Sequence, residues 1–473
     1  MIYKSLESKP MPVIAHTGLV VFAALVWAGA LVNAVYPGDA GFIALRLTLL
    51  LMTGLWIVAL LRSRAAILVL SPLLILATVA LLGYSIVEAV YAVVPKSHRY
   101  IDADILAYTG SLGEALVLQF VAFCLFVTAS IARFSPIRES RLEITANSHG
   151  WATVAWSAAA LIGAMLAIDV ATALLPALKE WRSGGLGKQI GDSIEPLSAL
   201  AFASLAHAAA VKGGRFTACF FGLATFYLAA KTAVGLVQMP VTIIALTVFY
   251  YLLNARVGAR TSIIVLVGAA LVSTAVLFGI VQTRHQAMSV SDTSFMNSVK
   301  IAVWAKVVLR QGRSASCYDK IVTNHRPQAE DERPFYFAGA IVPRVLWPDK
   351  PALSLGHEYT VLYCGSPRAA KGGHYELVTL LAEPVLRGGW PGLAAVQLFM
   401  GLGLALVAFA MPRCRPLALI TIIALLPWFV HFQQSFALYF ASIIKMLLYM
   451  LPGIVLLQWW RRRNPSATAN ESG

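Results

Sequence analysis

Acidic residues are scarce in this chain, and charge of either sign is thin. Asp and Glu number 22 against 37 Lys and Arg, and charged residues make up 12% of the 473 positions. Soluble domains carry roughly 25%. The shortage excludes a large soluble enzyme and leaves an integral membrane protein, 59% hydrophobic. The net charge of +15 does not restore a nucleic-acid reading. Much of the basic excess sits in short clusters between apolar spans, and no Arg-rich recognition helix or aromatic-basic platform is present.

Cysteine is also sparse, at five residues, with no metal-ligand spacing among them. Cys124 and Cys219 fall in apolar runs and Cys414 in a basic turn. Cys317 and Cys364 share one polar region, where an oxidising compartment would permit a disulfide between them. The usual soluble-enzyme signatures are missing: there is no G-x-S-x-G, H-E-x-x-H or Cys–His nucleophile pattern. Gly184-Gly185-Leu186-Gly187-Lys188 lacks the glycine spacing and the following Ser or Thr of a phosphate loop. Asp102-Ala103-Asp104 is a two-carboxylate pattern too common to assign a metal. No inverted repeat of the transporter kind is visible.

What the chain does have is long apolar runs. A span needs about 20 mostly apolar residues. Runs that qualify begin near 13, 41, 65, 114, 151, 195, 216, 240, 261, 391, 416 and 437, which predicts an all-α polytopic membrane protein of about twelve transmembrane helices. The first run, about 11–35, is too long for a signal-peptide core and lacks a small-x-small cleavage site, so an uncleaved helix is expected. Residues 216–254 are nearly continuous, and Gln238-Met239-Pro240 is the plausible break. His16 and His207 are lone histidines on apolar helices, expected to be packed or interfacial.

The basic residues then set the orientation. Arg62/Arg64, Arg133/Arg138/Arg141, Lys212/Arg215, Arg256/Arg260, Arg413/Arg415 and Arg461–Arg463 fall on one side, which the positive-inside rule makes cytoplasmic. Both termini are expected inside, and a loop over 281–390 outside, with smaller outer loops near 95–113 and 177–194. The organisation expected is helices over 1–280, the large loop over 281–390, further helices over 391–460, and a basic cytoplasmic tail over 461–473. Arg46, Glu88, Asp169, Lys231 and Lys445, with His431 nearby, all fall toward the outer ends of their spans. Charges in lipid are expensive and usually face a cavity or substrate, though each alone is equally explained by snorkelling. Shared depth points to a polar cavity at the outer leaflet under the loop.

Within the loop, Phe295 to Gln311 places apolar residues at 301, 304, 305, 308 and 309 and basic ones at 300, 306 and 310. The spacing fits an amphipathic helix on the outer surface or an ordinary helix packed on the bundle. Glu330-Asp331-Glu332 reads as a solvated turn. Pro343, Pro348 and Pro351 forbid an unbroken helix through the next stretch. It carries Arg344, Trp347, Asp349, Lys350, His357, Glu358 and Tyr359. Cations for phosphates and aromatic faces for sugar C–H groups suit a diphosphate-linked glycan; a structural cover packed on lipid is the plainer reading. His374 and Glu376 follow. Glu383 and Arg387 stand four apart, on one helix face. Gly388-Gly389 and Pro391-Gly392 predict a break before the next helix.

The layout of about a dozen spans with one dominant late outer loop resembles the bacterial O-antigen polymerases (Wzy-type). These are undecaprenyl-diphosphate-dependent polysaccharide polymerases, related to the O-antigen ligases. The stretch Pro343-Arg344-Val345-Leu346-Trp347-Pro348-Asp349-Lys350-Pro351 is similar to one in that family's loop. Glu383-Pro384 with Gly388-Gly389 is a weaker match, and Lys231-Thr232 stands where members often have Arg. The resemblance implies a GT-C-type membrane glycosyltransferase in the bacterial inner membrane, working in the periplasm with no metal or other cofactor. Its partners would be the lipid bilayer, an undecaprenyl-diphosphate-linked oligosaccharide, a flippase and a chain-length regulator. Arg344, Lys350 and Lys231 would neutralise the diphosphate. His357 or Glu358 would be the general base, with His374 next in line. Trp347, Tyr359, Glu383 and Arg387 would contact substrate. An O-antigen ligase shares this architecture and chemistry. A flippase or transporter of lipid-linked sugars, or an accessory subunit without chemistry, are further alternatives.

Overall fold

The computed structural model describes residues 13–35, 44–45, 47–49, 51–52, 112–132, 148–175, 185–233, 238–254, 342, 347, 382–410, 416–429 and 436–463. These are almost entirely helical, with no strand among the described residues. The main helices are α1 (Val13–Val35), α2 (Leu112–Ala132), α3 (Ser148–Leu174), α4 (Gly185–Lys212) and α5 (Arg215–Ala233). They continue as α6 (Gln238–Asn254), α7 (Ala382–Ala410), α8 (Pro416–Phe429) and α9 (Phe436–Arg463). Among the described residues, three stretches are long and apolar enough to cross a membrane: Ala152–Ala171, Ile194–Lys212 and Leu438–Trp459. The runs expected from 65 and 261 lie outside the described residues.

Proline and glycine set several of the boundaries. The Leu175 N–H still reaches the Ala171 carbonyl at 2.9 Å; Pro176, which has no N–H, follows at once. Between α4 and α5 the chain turns on Gly213 (φ 64°) and Gly214 (φ 53°), a left-handed pair that a side chain would resist. α6 takes Pro240 in its first turn and α8 starts on Pro416, positions where the missing N–H has no helical acceptor to lose. The expected break near Gln238-Met239-Pro240 thus falls between Ala233 and Gln238. Two boundaries differ from expectation: α7 begins at Ala382, inside the stretch expected as loop over 281–390, and α4 begins early as well. α4 begins at Gly185, ten residues before its apolar run, so 185–194 is helix and not loop. A helix leaving hydrocarbon for the polar interface has no reason to stop where hydrophobicity does, because its backbone bonds are internal.

The core is organised around α4. Its apolar stretch is 78% buried, against 39% for α3 and 17% for α9, and α3, α5, α6, α8 and α9 all pack on it. Its sequence explains this: Ala199, Ala201, Ala203, Ala206, Ala208 and Ala209 are fully buried, and small side chains let neighbouring helices approach where lipid offers no hydrophobic drive. Gly453 of α9 extends the same logic, since a Cβ there would lie 2.8 Å from a Leu200 methyl. A second group forms where α1 packs on α2 and α2 on α7, with Trp27 set against Phe123 and Phe126 at 5.4 and 5.3 Å. Phe399 of α7 meets Phe440 of α9 at 5.1 Å and joins the two groups.

Apolar side chains lie on the outside of the bundle as well as in its core, and several polar ones are buried. Leu25, Val32, Leu398, Phe399 and Val455 are exposed, while Asp169, Lys231, His207, Gln119, Gln397 and Glu383 are buried. Exposed Leu and buried Lys are the pattern an apolar solvent selects.

Candidate functional site

Asp169 and Lys231 are 62 residues apart in sequence and meet inside the bundle. The Lys231 Nζ lies 2.5 Å from an Asp169 carboxylate oxygen, and both side chains are almost wholly buried. α3 and α5 bring them together by running side by side in the same direction. Trp156 meets Phe216 toward one end of the pair, at 5.9 Å, and Asp169 meets Lys231 toward the other. Lys231 is sixteen residues beyond Arg215, about 24 Å along α5 at 1.5 Å per residue. It sits in the last turn of that helix, away from the basic turn at Lys212 and Arg215.

The surroundings of the pair are polar on the α4 side. The ammonium lies over the Tyr227 ring, 5.6 Å from its centroid. Tyr227 is fully buried and its ring meets Phe202 of α4 edge-on at 5.0 Å. Ser198 stands beside the Tyr227 hydroxyl, with Glu195 and Asp169 within electrostatic reach of it. The Ser198 hydroxyl also lies 3.2 Å from the Met165 sulfur. A carboxylate, an ammonium and a phenol ring therefore meet between α3 and α5, with Ser198 and Glu195 of α4 on the Tyr227 side. Such an arrangement can hold a cation in a low-dielectric interior, where a lone ammonium would be heavily penalised. Among the described residues, no three His, Cys, Asp or Glu side chains converge as a metal site requires.

A second constellation joins α2 to α7. The Gln119 and Gln397 amides are buried and bond reciprocally: Gln119 Nε2 donates to Gln397 Oε1 at 2.9 Å, and Gln397 Nε2 donates back at 2.6 Å. Upstream on α7, Glu383 is buried in the first turn. The helix is then interrupted at Gly389 (φ 59°, ψ −149°), a conformation open essentially to glycine alone. The expected break at Gly388–Gly392 is therefore a tight one: a Cβ on Gly392 would stand 2.5 Å from the Pro384 carbonyl oxygen.

The remaining candidates divide as follows. Trp347 is non-helical and 42% exposed. Arg387 lies on α7. Arg344, Lys350, His357, Glu358, Tyr359 and His374 lie outside the described residues, as do Arg46, Glu88, His431, Cys317 and Cys364. Of the five charges expected at one depth, the structure brings Asp169 and Lys231 together. Lys445 lies on α9, 5.2 Å over the Tyr449 ring. His207 is packed, as expected of it, with its Nδ1 2.6 Å from the Tyr250 hydroxyl. The Gln119–Gln397 pair escaped sequence reasoning, although an amide in the middle of an apolar run, as in Leu116–Phe123 and Ala394–Met400, is a usable signal of an interhelical contact.

Comparison with family models, with characterised proteins and with solved structures finds no match to any of them.

Proposed function

We propose that the chain is a polysaccharide polymerase of the bacterial inner membrane. It would be GT-C-like, with about twelve spans, both termini in the cytoplasm and a working face in the periplasm. It joins lipid-linked oligosaccharide repeat units, moving a growing glycan from undecaprenyl diphosphate to a sugar hydroxyl of the next unit. The observation that carries this reading is the Pro343–Pro351 stretch, which sets Arg344, Trp347 and Lys350 within nine residues of proline-stiffened chain in the long polar loop. An exposed Trp347 leaves an indole face open to sugar C–H groups.

In the reaction, the acceptor hydroxyl oxygen attacks the anomeric carbon and forms the new glycosidic bond. The bond from that carbon to the diphosphate oxygen breaks, and its electron pair leaves with undecaprenyl diphosphate. His357 or Glu358 takes the hydroxyl proton. Arg344 and Lys350 neutralise the charge that develops on the leaving diphosphate. Lys231 adds a fixed positive charge at the end of α5, and Glu383 with Arg387 stands at the entry to α7.

The test is polysaccharide display in a deletion strain, resolved by gel. Polymer reduced to a single repeat unit, restored by the wild-type chain and not by Arg344→Ala at equal membrane abundance, is the expected result. Normal polymer from the Arg344→Ala variant would overturn the assignment. Loss of every attached repeat with lipid-linked polymer accumulating would mean a ligase, and single lipid-linked units trapped on the cytoplasmic side a flippase.

A further inference from the structure

Two of the buried polar contacts between helices differ in what they demand. The Gln119–Gln397 amides bond reciprocally with no net charge. The Asp169–Lys231 pair requires two full charges to be taken out of water, which is expensive enough that apolar replacements of such pairs are often neutral or stabilising. If gluing α3 to α5 were the whole task, an amide or an apolar contact would do it. An ion pair here implies that the positive charge itself is used.

Its position indicates by what. Lys231 is two residues from the end of α5, at the opposite end of that helix from the basic turn; in the proposed topology this end faces the outer headgroup layer. Tyr227, Ser198 and Glu195 belong to α5 and α4, not to the helix that carries the carboxylate. An anion from the headgroup layer can take the place of Asp169 only if it carries concentrated charge, because separating a buried pair without a substitute is heavily penalised.

We propose that Asp169 is a positioning residue for Lys231: it holds the ammonium in place in the empty protein, and is displaced by the diphosphate of a lipid-linked glycan. This rests on the reading of the substrate as an undecaprenyl-diphosphate lipid. Asp169 and substrate then compete for one cation, so removing the carboxylate's charge strengthens substrate binding, and substrate frees the outer end of α5 from α3.

The test uses the full chain, labelled with 15N-lysine, in phosphatidylcholine nanodiscs, with the Lys231 ammonium resonance assigned by its loss in Lys231→Arg. Adding undecaprenyl diphosphate should move that resonance, and the same density of phosphatidylglycerol should not. Asp169→Asn should bind undecaprenyl diphosphate about tenfold tighter, within the usual range of coupling between competing sites. The exchanged double variant, Asp169→Lys with Lys231→Asp, should keep the folded protein and lose the binding, which a merely structural pair would not. A Lys231 resonance unmoved by undecaprenyl diphosphate overturns the proposal. So does an equal response to phosphatidylglycerol, or a double variant that binds like wild type. Polymer formation with an unmoved resonance leaves the polymerase standing without the exchange. A moved resonance in a protein that makes no polymer leaves the exchange standing without the polymerase.

Discussion

Between α3 and α5 the polar contact is an ion pair; between α2 and α7 it is a pair of amides. Both are buried, and both join helices far apart in sequence. The amide pair is symmetric and neutral, each nitrogen donating to the other's oxygen, so it specifies alignment and nothing more. The ion pair is asymmetric: either partner can be taken over by another charge of the right sign. Within one membrane bundle, the difference separates a contact that can only hold from one that can be exchanged.

The largest test of that contrast removes one charge. Asp169→Ala leaves Lys231 buried without its carboxylate and should destabilise by about 3–5 kcal/mol, read by unfolding in mixed micelles. Replacing both, as Asp169→Leu with Lys231→Met, should return stability close to wild type while abolishing polymer. If the double variant still polymerises, the pair is structural like the amides. Next in size is the break in α7. Gly389→Ala forces a side chain into a glycine-only conformation, at about 1–3 kcal/mol, and proteolysis should show it as earlier cleavage near that position. Smallest is the amide clasp: Gln119→Leu should lose roughly 0.6–1.7 kcal/mol with normal polymer length. An effect of Gln119→Leu on polymer equal to that of Lys231→Ala would erase the distinction between the two contacts.

Helix placement was largely legible in the sequence because lipid makes it a local property. Apolar runs near 13, 114, 151, 216, 240, 416 and 437 correspond to helices starting at 13, 112, 148, 215, 238, 416 and 436. The α5–α6 boundary and the break at Gly389 were legible too, since Pro and Gly act on their own backbone. Pairing was less so. Asp169 and Lys231 share a depth that hydropathy reveals, but their contact depends on α3 and α5 lying side by side across α4. The alanines of α4 set that packing, and no spacing within α3 or α5 encodes it. The start of α4 was misjudged for a related reason: hydrophobicity marks where lipid ends, while backbone hydrogen bonds decide where the helix ends.

The order in which the two charges are made has its own consequence. Lys231 follows Asp169 by 62 residues, about 3–12 s of synthesis at ordinary elongation rates. During that interval α3 exists without Lys231. The Gly213-Gly214 turn then delivers α5 directly behind α4, so Lys231 arrives as one arm of a hairpin. A chain that ends between residues 169 and 231 thus carries the carboxylate of the pair without its ammonium.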